Sequence, residues 1–214
     1  MTDSSLFGAV PGATPLTEQE RDGLLLPVLT RGELDAVEAE NIARARLAAL
    51  SGRRRLTAER ILDVGWMKQL HRAMYGDVWA WAGSFRTTER NIGVEPWRIL
   101  LCLHDLIADA AFWLADVRVA GPTALSADEF CLRLSHRAVL VHPFPNGNGR
   151  WSRLLADAAA HSLGRPPFGW GRAPAQPIDP DPQRRAEVRR AYLAALRTAD
   201  LLLDYAPLMA FARS

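Results

Sequence analysis

A twelve-residue loop, HPFPNGNGRWSR at positions 142–153, limits the fold of this chain more than any other stretch. Its prolines and glycines cannot continue a helix. The residues on both sides nevertheless follow a helical pattern, from about Ala127 to Val141 and from about Gly149 to Gly164. The loop therefore joins two helices, and it is too polar to be an ordinary buried turn.

The rest of the chain also favours helices. In three places a hydroxyl residue stands three positions before a glutamate, a pattern that caps helix starts: Thr17 to Glu20, Thr30 to Glu33 and Ser126 to Glu129. Helical spacing predicts further helices over 30–50, 57–75, 96–117 and 183–200, and a short one after Pro207. The exception is GSFRTTERNIGVE, residues 83–95, which favours a short hairpin or an extended flap. The predicted fold class is mainly α with a small β-hairpin flap.

Composition narrows the function classes. With 214 residues, 49% of them hydrophobic and 23% charged, the chain suits one well-packed core. A net charge of +2 gives little reason to expect a nucleic-acid binder. No apolar run is long enough for a signal peptide or a membrane span, so we expect no membrane association and a cytoplasmic location. Cys102 and Cys131 lie in apolar helical patterns and are expected to be buried thiols.

The expected organisation has three parts. Residues 1–15 are predicted to be a flexible N-terminus, 16–56 an N-terminal helical extension, and 57–214 the main domain that contains the loop.

The loop suits phosphate groups. Gly147 and Gly149 allow positive φ and close approach directly before a helix, whose free N–H groups form an anion-binding concavity. Arg150 and Arg153 are three residues apart and share one helix face. Two guanidinium groups beside backbone amides suit a polyphosphate better than a single carboxylate. The loop is not a Walker A motif, because the chain contains no G-x-x-x-x-G-K-(S/T).

Other loop residues suggest chemistry at phosphorus. His142 follows the apolar run before the loop, and a neutral imidazole there is a candidate general base for an attacking hydroxyl. Phe144 is the expected buried anchor of the loop. Asn146 and Asn148 offer oxygens or amides to a metal or a phosphate. Farther along, Phe168 and Trp170 are expected, from their position alone, to border the base of any nucleotide that the loop binds.

These residues resemble a known family signature. HPFPNGNGRWSR is similar to the Fic signature H-P-F-x-(D/E)-G-N-G-R-x-x-R, and it departs from it only at Asn146. LHRAMYGDVWAWAGSFRTTERNIGV, residues 70–94, resembles the segment leading to the family's target-docking flap. The resemblance spans roughly residues 57–202. The arrangement most resembles the bacterial subgroup labelled mobile mystery protein B.

The resemblance implies an activity and roles for individual residues. Fic enzymes typically transfer AMP from ATP to a hydroxyl of a target protein, with Mg2+ as cofactor. His142 would then be the catalytic base. The nucleotide phosphates would bind to Gly147, Asn148, Gly149, Arg150 and Arg153. The flap residues expected to dock the target are Arg86, Thr87, Thr88, Asn91, Ile92 and Gly93. Asn146 would stand at the metal position, where a neutral amide binds Mg2+ more weakly than a carboxylate.

A candidate brake lies in the N-terminal extension. Many Fic proteins carry an inhibitory helix with the pattern (S/T)-x-x-x-E-(G/N). In the stretch from Ala36 to Asn41, Glu40 and Asn41 fit that pattern, while Ala36 replaces the hydroxyl residue. The expectation is that Glu40 pairs with Arg153, and the alternative is that Glu40 simply faces solvent.

Three functions stay open from the sequence. They are a protein adenylyltransferase, a phosphotransferase as in the Doc branch, and a catalytically weakened nucleotide-sensing module. Doc-type motifs usually have Ala-Asn-Lys-Arg where this chain keeps Gly-Asn-Gly-Arg. The resemblance also implies a target protein as partner, and a toxin-like or regulatory role beside a DNA-binding partner.

Overall fold

The structure, a computed structural model, describes residues 16–51, 56–119, 121, 123–171 and 182–214. The predicted flexible N-terminus at 1–15 lies outside these residues, and so does most of the stretch 164–182, which carries six prolines. The described part contains nine α-helices: α1 (Glu18–Arg21), α2 (Arg31–Ser51), α3 (Ala58–Ile61), α4 (Val64–Tyr75), α5 (Ile99–Val119), α6 (Ala127–Val141), α7 (Asn148–Ser162), α8 (Pro182–Leu202) and α9 (Ala206–Arg213). A 3-10 turn, Pro96–Arg98, leads into α5.

Side-chain caps begin five of the nine described helices, and four of these caps lie where the sequence indicates a helix start. The Thr17 hydroxyl accepts from the Glu20 amide while the Glu20 carboxylate accepts from the Thr17 amide, at 3.3 and 2.8 Å. One boundary was wrong: the helix predicted over 57–75 is two helices, α3 and α4. The chain leaves the helical conformation at Leu62, and the Asp63 carboxylate caps α4 by accepting from the Trp66 amide at 2.7 Å.

Helix α7 lies at the centre of the fold. It packs against α2, α3, α4 and α6. Trp151, Leu155 and the consecutive alanines 158–160 are completely buried on it, so the helix is enclosed on most of its surface. Small side chains let the neighbouring helices approach closely. The first turn of α7, where the loop ends, is therefore held by the core.

The flap is irregular, with bends at Thr88 and at 91–93, rather than a hairpin. Within the described residues no strand forms over 83–95, so the predicted hairpin is not confirmed. Instead the segment lies along the loop through two backbone hydrogen bonds. The Arg86 amide donates to the Pro143 carbonyl at 2.9 Å, and the Val94 amide donates to the Val141 carbonyl at 3.3 Å. Pairing with the loop replaces pairing within the flap.

Two further expectations can be compared with the structure. Among the helices described, none is both long and apolar enough to cross a membrane. Both cysteines are free thiols, but only Cys131 is buried as predicted, whereas Cys102 is partly exposed.

Candidate active site

The loop begins at His142, which ends α6 in the left-handed conformation with φ 52° and ψ 58°. Pro143 follows, so the helix cannot continue. The His142 side chain is buried, with 7% exposure for the residue. Burial, and then the positive charge of Arg86, lower the pKa of His142 to about 4. The imidazole is therefore neutral near pH 7, the state in which it can accept a proton.

Phe144 anchors the loop in the core, as expected from the sequence. Its ring stacks on His71 with centroids 3.7 Å apart and meets Trp151 edge-on at 5.0 Å. Asn148 braces the same turn: its carboxamide accepts from the Phe144 amide at 2.9 Å and donates to the Phe144 carbonyl at 2.8 Å. The Asn148 side chain is thus used inside the loop. Only its backbone amide remains for the predicted contact with phosphate.

The turn into α7 depends on Gly147. Its φ is +79°, and a Cβ there would lie 2.6 Å from the Tyr75 ring. The first helical hydrogen bond of α7 runs from the Trp151 amide to the Gly147 carbonyl at 2.9 Å. The amides of residues 148–150 precede that bond, so they have no partner within the helix. They are therefore available for the anion-binding role that the sequence predicts.

Asn146 is engaged within the protein through both of its oxygens. Its side-chain oxygen accepts from the Gly147 amide at 2.6 Å, and its carbonyl lies 3.0 Å from His71 Nε2. The Gly83 amide donates to His71 Nδ1 at 3.0 Å, so Nε2 carries the proton and donates to Asn146. Burial lowers the pKa of His71 to about 3, which keeps this neutral form. His71 thus joins the start of the flap to the loop.

A protein-side magnesium site does not fit these residues. Asn146 offers only a neutral amide oxygen that already accepts a hydrogen bond. In the part of the chain that the structure describes, no three His, Cys, Asp or Glu side chains are grouped to hold a metal. Magnesium prefers carboxylate and phosphate oxygens. Any Mg2+ here would depend on the phosphate groups of a nucleotide.

The two arginines of the motif differ in their surroundings. Arg150 Nη1 pairs with Glu38 at 2.6 Å, and its guanidinium lies over the Tyr75 ring at 5.2 Å. Arg153 lies over the Tyr192 ring of α8 at 5.1 Å. Among the described residues, no carboxylate pairs with Arg153. Within the described part of the chain, the Arg153 guanidinium therefore has fewer protein partners than the Arg150 guanidinium.

The predicted pair between Glu40 and Arg153 is absent from the described structure. Glu40 is exposed, whereas Glu38 is buried and also accepts from Trp79 Nε1 at 2.8 Å. Two positions along a helix correspond to a rotation of about 200°, so Glu38 and Glu40 face opposite sides of α2. Asn41 is buried and donates to the carbonyl of Val37 at 3.1 Å. The glutamate that reaches the site is the one outside the expected pattern.

The predicted docking residues of the flap divide into two groups. Arg86 is buried at 2% exposure, and Thr88 donates to the Glu20 carboxylate at 3.3 Å. Neither side chain is free to meet a target. The residues of the set that face solvent are Thr87, Asn91, Ile92 and Gly93.

The predicted adenine neighbours are core residues instead. The Asp157 carboxylate on α7 accepts from the Phe168 amide at 3.0 Å and from Trp170 Nε1 at 3.1 Å. Both aromatic rings are buried. Their position next to α7 follows from this buried carboxylate, which also pairs with Arg46 of α2.

Sequence reasoning missed the residues that hold the motif from outside it, namely Glu38, His71, Tyr75 and Trp79. A partial signal existed, because His71 and Tyr75 are four residues apart and so share one face of a helix. Both are buried against the loop. Nothing in the spacing indicated which loop atoms they meet.

Two curated proteins with the same name are similar in sequence to this chain. No family model matches the chain. The protein adenylyltransferase fic-1 of Caenorhabditis briggsae is 32% identical over 138 residues, and that of Caenorhabditis elegans is 30% identical over 138 residues. Each match covers 62% of this chain but only 23% of the relative. The chain thus corresponds to a minor part of these curated relatives.

Solved structures agree with the fold. Fic-1 (residues 134–508) from C. elegans superposes with a TM-score of 0.60 at 25% identity, over 90% of this chain and 51% of that one. The Bartonella tribocorum effector BepC, solved with bound AMPPNP, gives 0.59 at 15% identity over 92% and 97%. The fold is therefore that of a Fic domain. The two curated relatives are Fic proteins as well, so the sequence and structure comparisons support the same family.

Proposed function

We propose that this chain is a Fic-type protein adenylyltransferase, which transfers AMP from ATP to a Ser, Thr or Tyr hydroxyl of a target protein. The observation that carries the proposal is the placement of His142. A buried, neutral imidazole ends α6 five residues before the glycine turn whose amides begin α7. A proton acceptor and an anion-binding concavity on one short, braced loop suit attack by a hydroxyl on a phosphate ester.

The reaction follows from these two parts. The imidazole of His142 takes the proton of the target hydroxyl as the hydroxyl oxygen attacks the α-phosphorus. A new oxygen–phosphorus bond forms, the bond between the α-phosphorus and the bridging oxygen breaks, and pyrophosphate leaves with that oxygen. Amides at the start of α7, together with Arg150 and Arg153, offset the charge of the phosphates. Such a site acts by positioning and charge neutralisation.

ATP is the proposed nucleotide, with magnesium carried mainly by its phosphates. BepC, which shares this fold, was solved with bound AMPPNP, and this supports a nucleotide as the ligand. Asn146 supplies no negative charge to hold a metal ion. On the protein side, the two arginines therefore offset the phosphate charge. We therefore expect a weak requirement for Mg2+ and a slow reaction, because less of the phosphate charge is offset by a tightly bound ion.

The exposed part of the flap is the proposed site of target docking. Residues 87–93 lie between the two backbone hydrogen bonds that tie the flap to the loop, at Arg86 and Val94. An exposed segment can hold a target chain by main-chain hydrogen bonds, largely independently of the target's sequence. Thr87, Glu89, Asn91 and Ile92 are the exposed side chains of this segment. The target would thereby reach His142 from the flap side.

We further propose that Glu38, rather than Glu40, restrains the nucleotide site. Glu38 is fixed by Trp79 and occupies one side of the Arg150 guanidinium. A phosphate that binds Arg150 must compete with this carboxylate. The restraint therefore acts on the first motif arginine and leaves Arg153 available.

One experiment tests the proposed reaction. The protein is incubated with ATP labelled at the α- or the γ-phosphate, and the mass added to the protein itself and to lysate proteins is measured. AMP-sized addition that depends on His142 is the expected result, and the His142→Ala variant is the control. Phosphate-sized addition would instead indicate the Doc-type phosphotransferase. No addition, while ATP still binds, would leave the nucleotide-sensing module. The subgroup resemblance and a DNA-binding regulatory partner stay predictions.

A further inference from the structure

Arg86 is the most deeply buried cation of the flap, although its neighbours on both sides reach the surface. It is 2% exposed. Its backbone amide donates to the Pro143 carbonyl at 2.9 Å, and its side-chain Nε donates to the His142 carbonyl at 2.7 Å. Backbone and side chain of one residue thus bind two consecutive carbonyls at the start of the loop.

The rest of the guanidinium holds the flap itself. Nη1 donates to the Thr88 carbonyl at 3.0 Å, and Nη2 donates to the Val94 carbonyl. The three accepting carbonyls belong to the loop and to both ends of the exposed part of the flap. A planar fork with several fixed donors can serve three such acceptors at once, whereas a lysine ammonium is a single point.

The histidine that Arg86 holds is in a conformation that needs support. His142 has φ 52°, in the left-handed region that residues other than glycine rarely adopt. Gly93 closes on it from the flap: a Cβ on Gly93 would lie 2.5 Å from His142 Cβ and 2.9 Å from Arg86 Nη2. The flap therefore touches His142 at its carbonyl through Arg86 and at its Cβ through Gly93.

We propose that Arg86 is the positioning residue of His142, and that it ties the orientation of the imidazole to the flap on which the target docks. This inference rests on the proposed function insofar as His142 is the base. Arg86 acts through His142 and touches none of the amides or arginines of the nucleotide site. Its charge, with that of Arg90, also faces the imidazole and favours the neutral form.

The test uses two substitutions and a matched control. Arg86→Lys keeps the charge but loses the fork, and Arg86→Gln loses both. Arg98→Gln makes the same change at an exposed arginine just beyond the flap. Self-labelling rate, ATP affinity and the titration of the His142 imidazole by NMR are measured for each. We expect both Arg86 variants to lose at least about tenfold in kcat with ATP affinity within about twofold, since the loss falls on a group that acts in the transition state.

The NMR arm separates position from charge. The pKa of His142 should stay low in Arg86→Lys and rise in Arg86→Gln, while the Cα and Cβ shifts of His142 should leave their left-handed values in both. Unchanged shifts, an unchanged kcat, or a parallel loss of ATP affinity would overturn the inference. If the wild-type protein labels nothing, the proposed function fails, and the His142 shifts alone still decide the inference. If neither Arg86 variant folds, Gly93→Ala is examined, and an unchanged kcat there would overturn the coupling of flap and base.

Discussion

Replacing Glu38 with Gln should raise nucleotide affinity and lower stability at the same time. The buried Glu38 carboxylate accepts from Arg150 at 2.6 Å and from Trp79 at 2.8 Å. Glutamine keeps the shape and can keep the Trp79 bond through its carbonyl oxygen. It loses the charge that holds Arg150. The substitution therefore removes one charge-assisted contact and little else.

The size of both effects follows from that contact. A hydrogen bond to a charged group contributes roughly 1.5–3 kcal/mol to stability. The Arg150 side chain is 34% exposed, so water can replace part of the lost contact. We therefore expect a loss of about 2 kcal/mol in the free energy of unfolding. For a domain of this size that corresponds to a fall in Tm of roughly 4–8 °C. In the variant, Arg150 no longer has to leave Glu38 before it binds phosphate. The same free energy should therefore appear as ATP binding that is about 10- to 30-fold tighter, because about 1.4 kcal/mol is a factor of ten.

Calorimetric titration with a non-hydrolysable ATP analogue and thermal melts check the two effects. Glu40→Gln is the matched control, since it makes the same change two residues along α2 on the exposed face. It should alter stability by no more than about 0.5 kcal/mol and leave affinity unchanged. A lower Tm in Glu38→Gln with unchanged or weaker binding would refute the reasoning, because Glu38 would then support Arg150 instead of competing for it. A gain in affinity from Glu40→Gln alone would restore Glu40 as the brake.

Three further predictions concern the loop and its supports. Gly147→Ala should cost about 2–4 kcal/mol in urea unfolding, since the left-handed φ and a Cβ placed 2.6 Å from Tyr75 both oppose it, and a loss under 1 kcal/mol would contradict this. Because the pKa values of His71 and His142 are about 3 and about 4 in the folded protein, against an ordinary value of 6.5, the unfolded chain binds more protons below pH 6.5. Stability should therefore be lost as the pH falls, by roughly 4 kcal/mol between pH 7 and pH 5, and His142→Asn should remove about half of that dependence in urea melts. Asn146→Asp should lower the Mg2+ concentration that half-saturates labelling, and an unchanged Mg2+ dependence would show that position 146 does not meet the ion.

Local sequence signals were enough for most of the helices. Ser126 and Glu129 mark the start of α6, and Pro143 marks its end, so its predicted and observed limits coincide. The same logic failed at Asp63, because the apolar pattern continues across the break between α3 and α4. An aspartate before an apolar run was the available capping signal. The prediction relied on apolar periodicity alone and therefore overlooked this cap.

The sequence indicates the proposed site residues of the loop, but it does not indicate the residues that support the loop. The motif places His142 and the glycine turn on one loop, and adjacent residues cannot lie far apart. Glu38, His71 and Arg86 lie between 56 and 112 positions from their partners in the loop. Such pairings depend on how the helices pack against one another, and a short-range sequence pattern does not indicate that packing. The choice between Glu38 and Glu40 illustrates this, since both lie on one helix and only packing decides which is inside.

Asn146 has a different meaning once its contacts are known. From the sequence it was a metal position with the wrong side chain. In the structure its carbonyl fixes the loop to His71, and its side-chain oxygen orders the Gly147 amide. An aspartate could make the same two contacts, so the loop geometry does not require the amide. What the amide removes is one negative charge next to the anion-binding concavity, in a loop that already has two arginines. The local field therefore favours phosphate over metal, which leads to a site that should hold a nucleotide well without Mg2+ and use Mg2+ poorly when it is present.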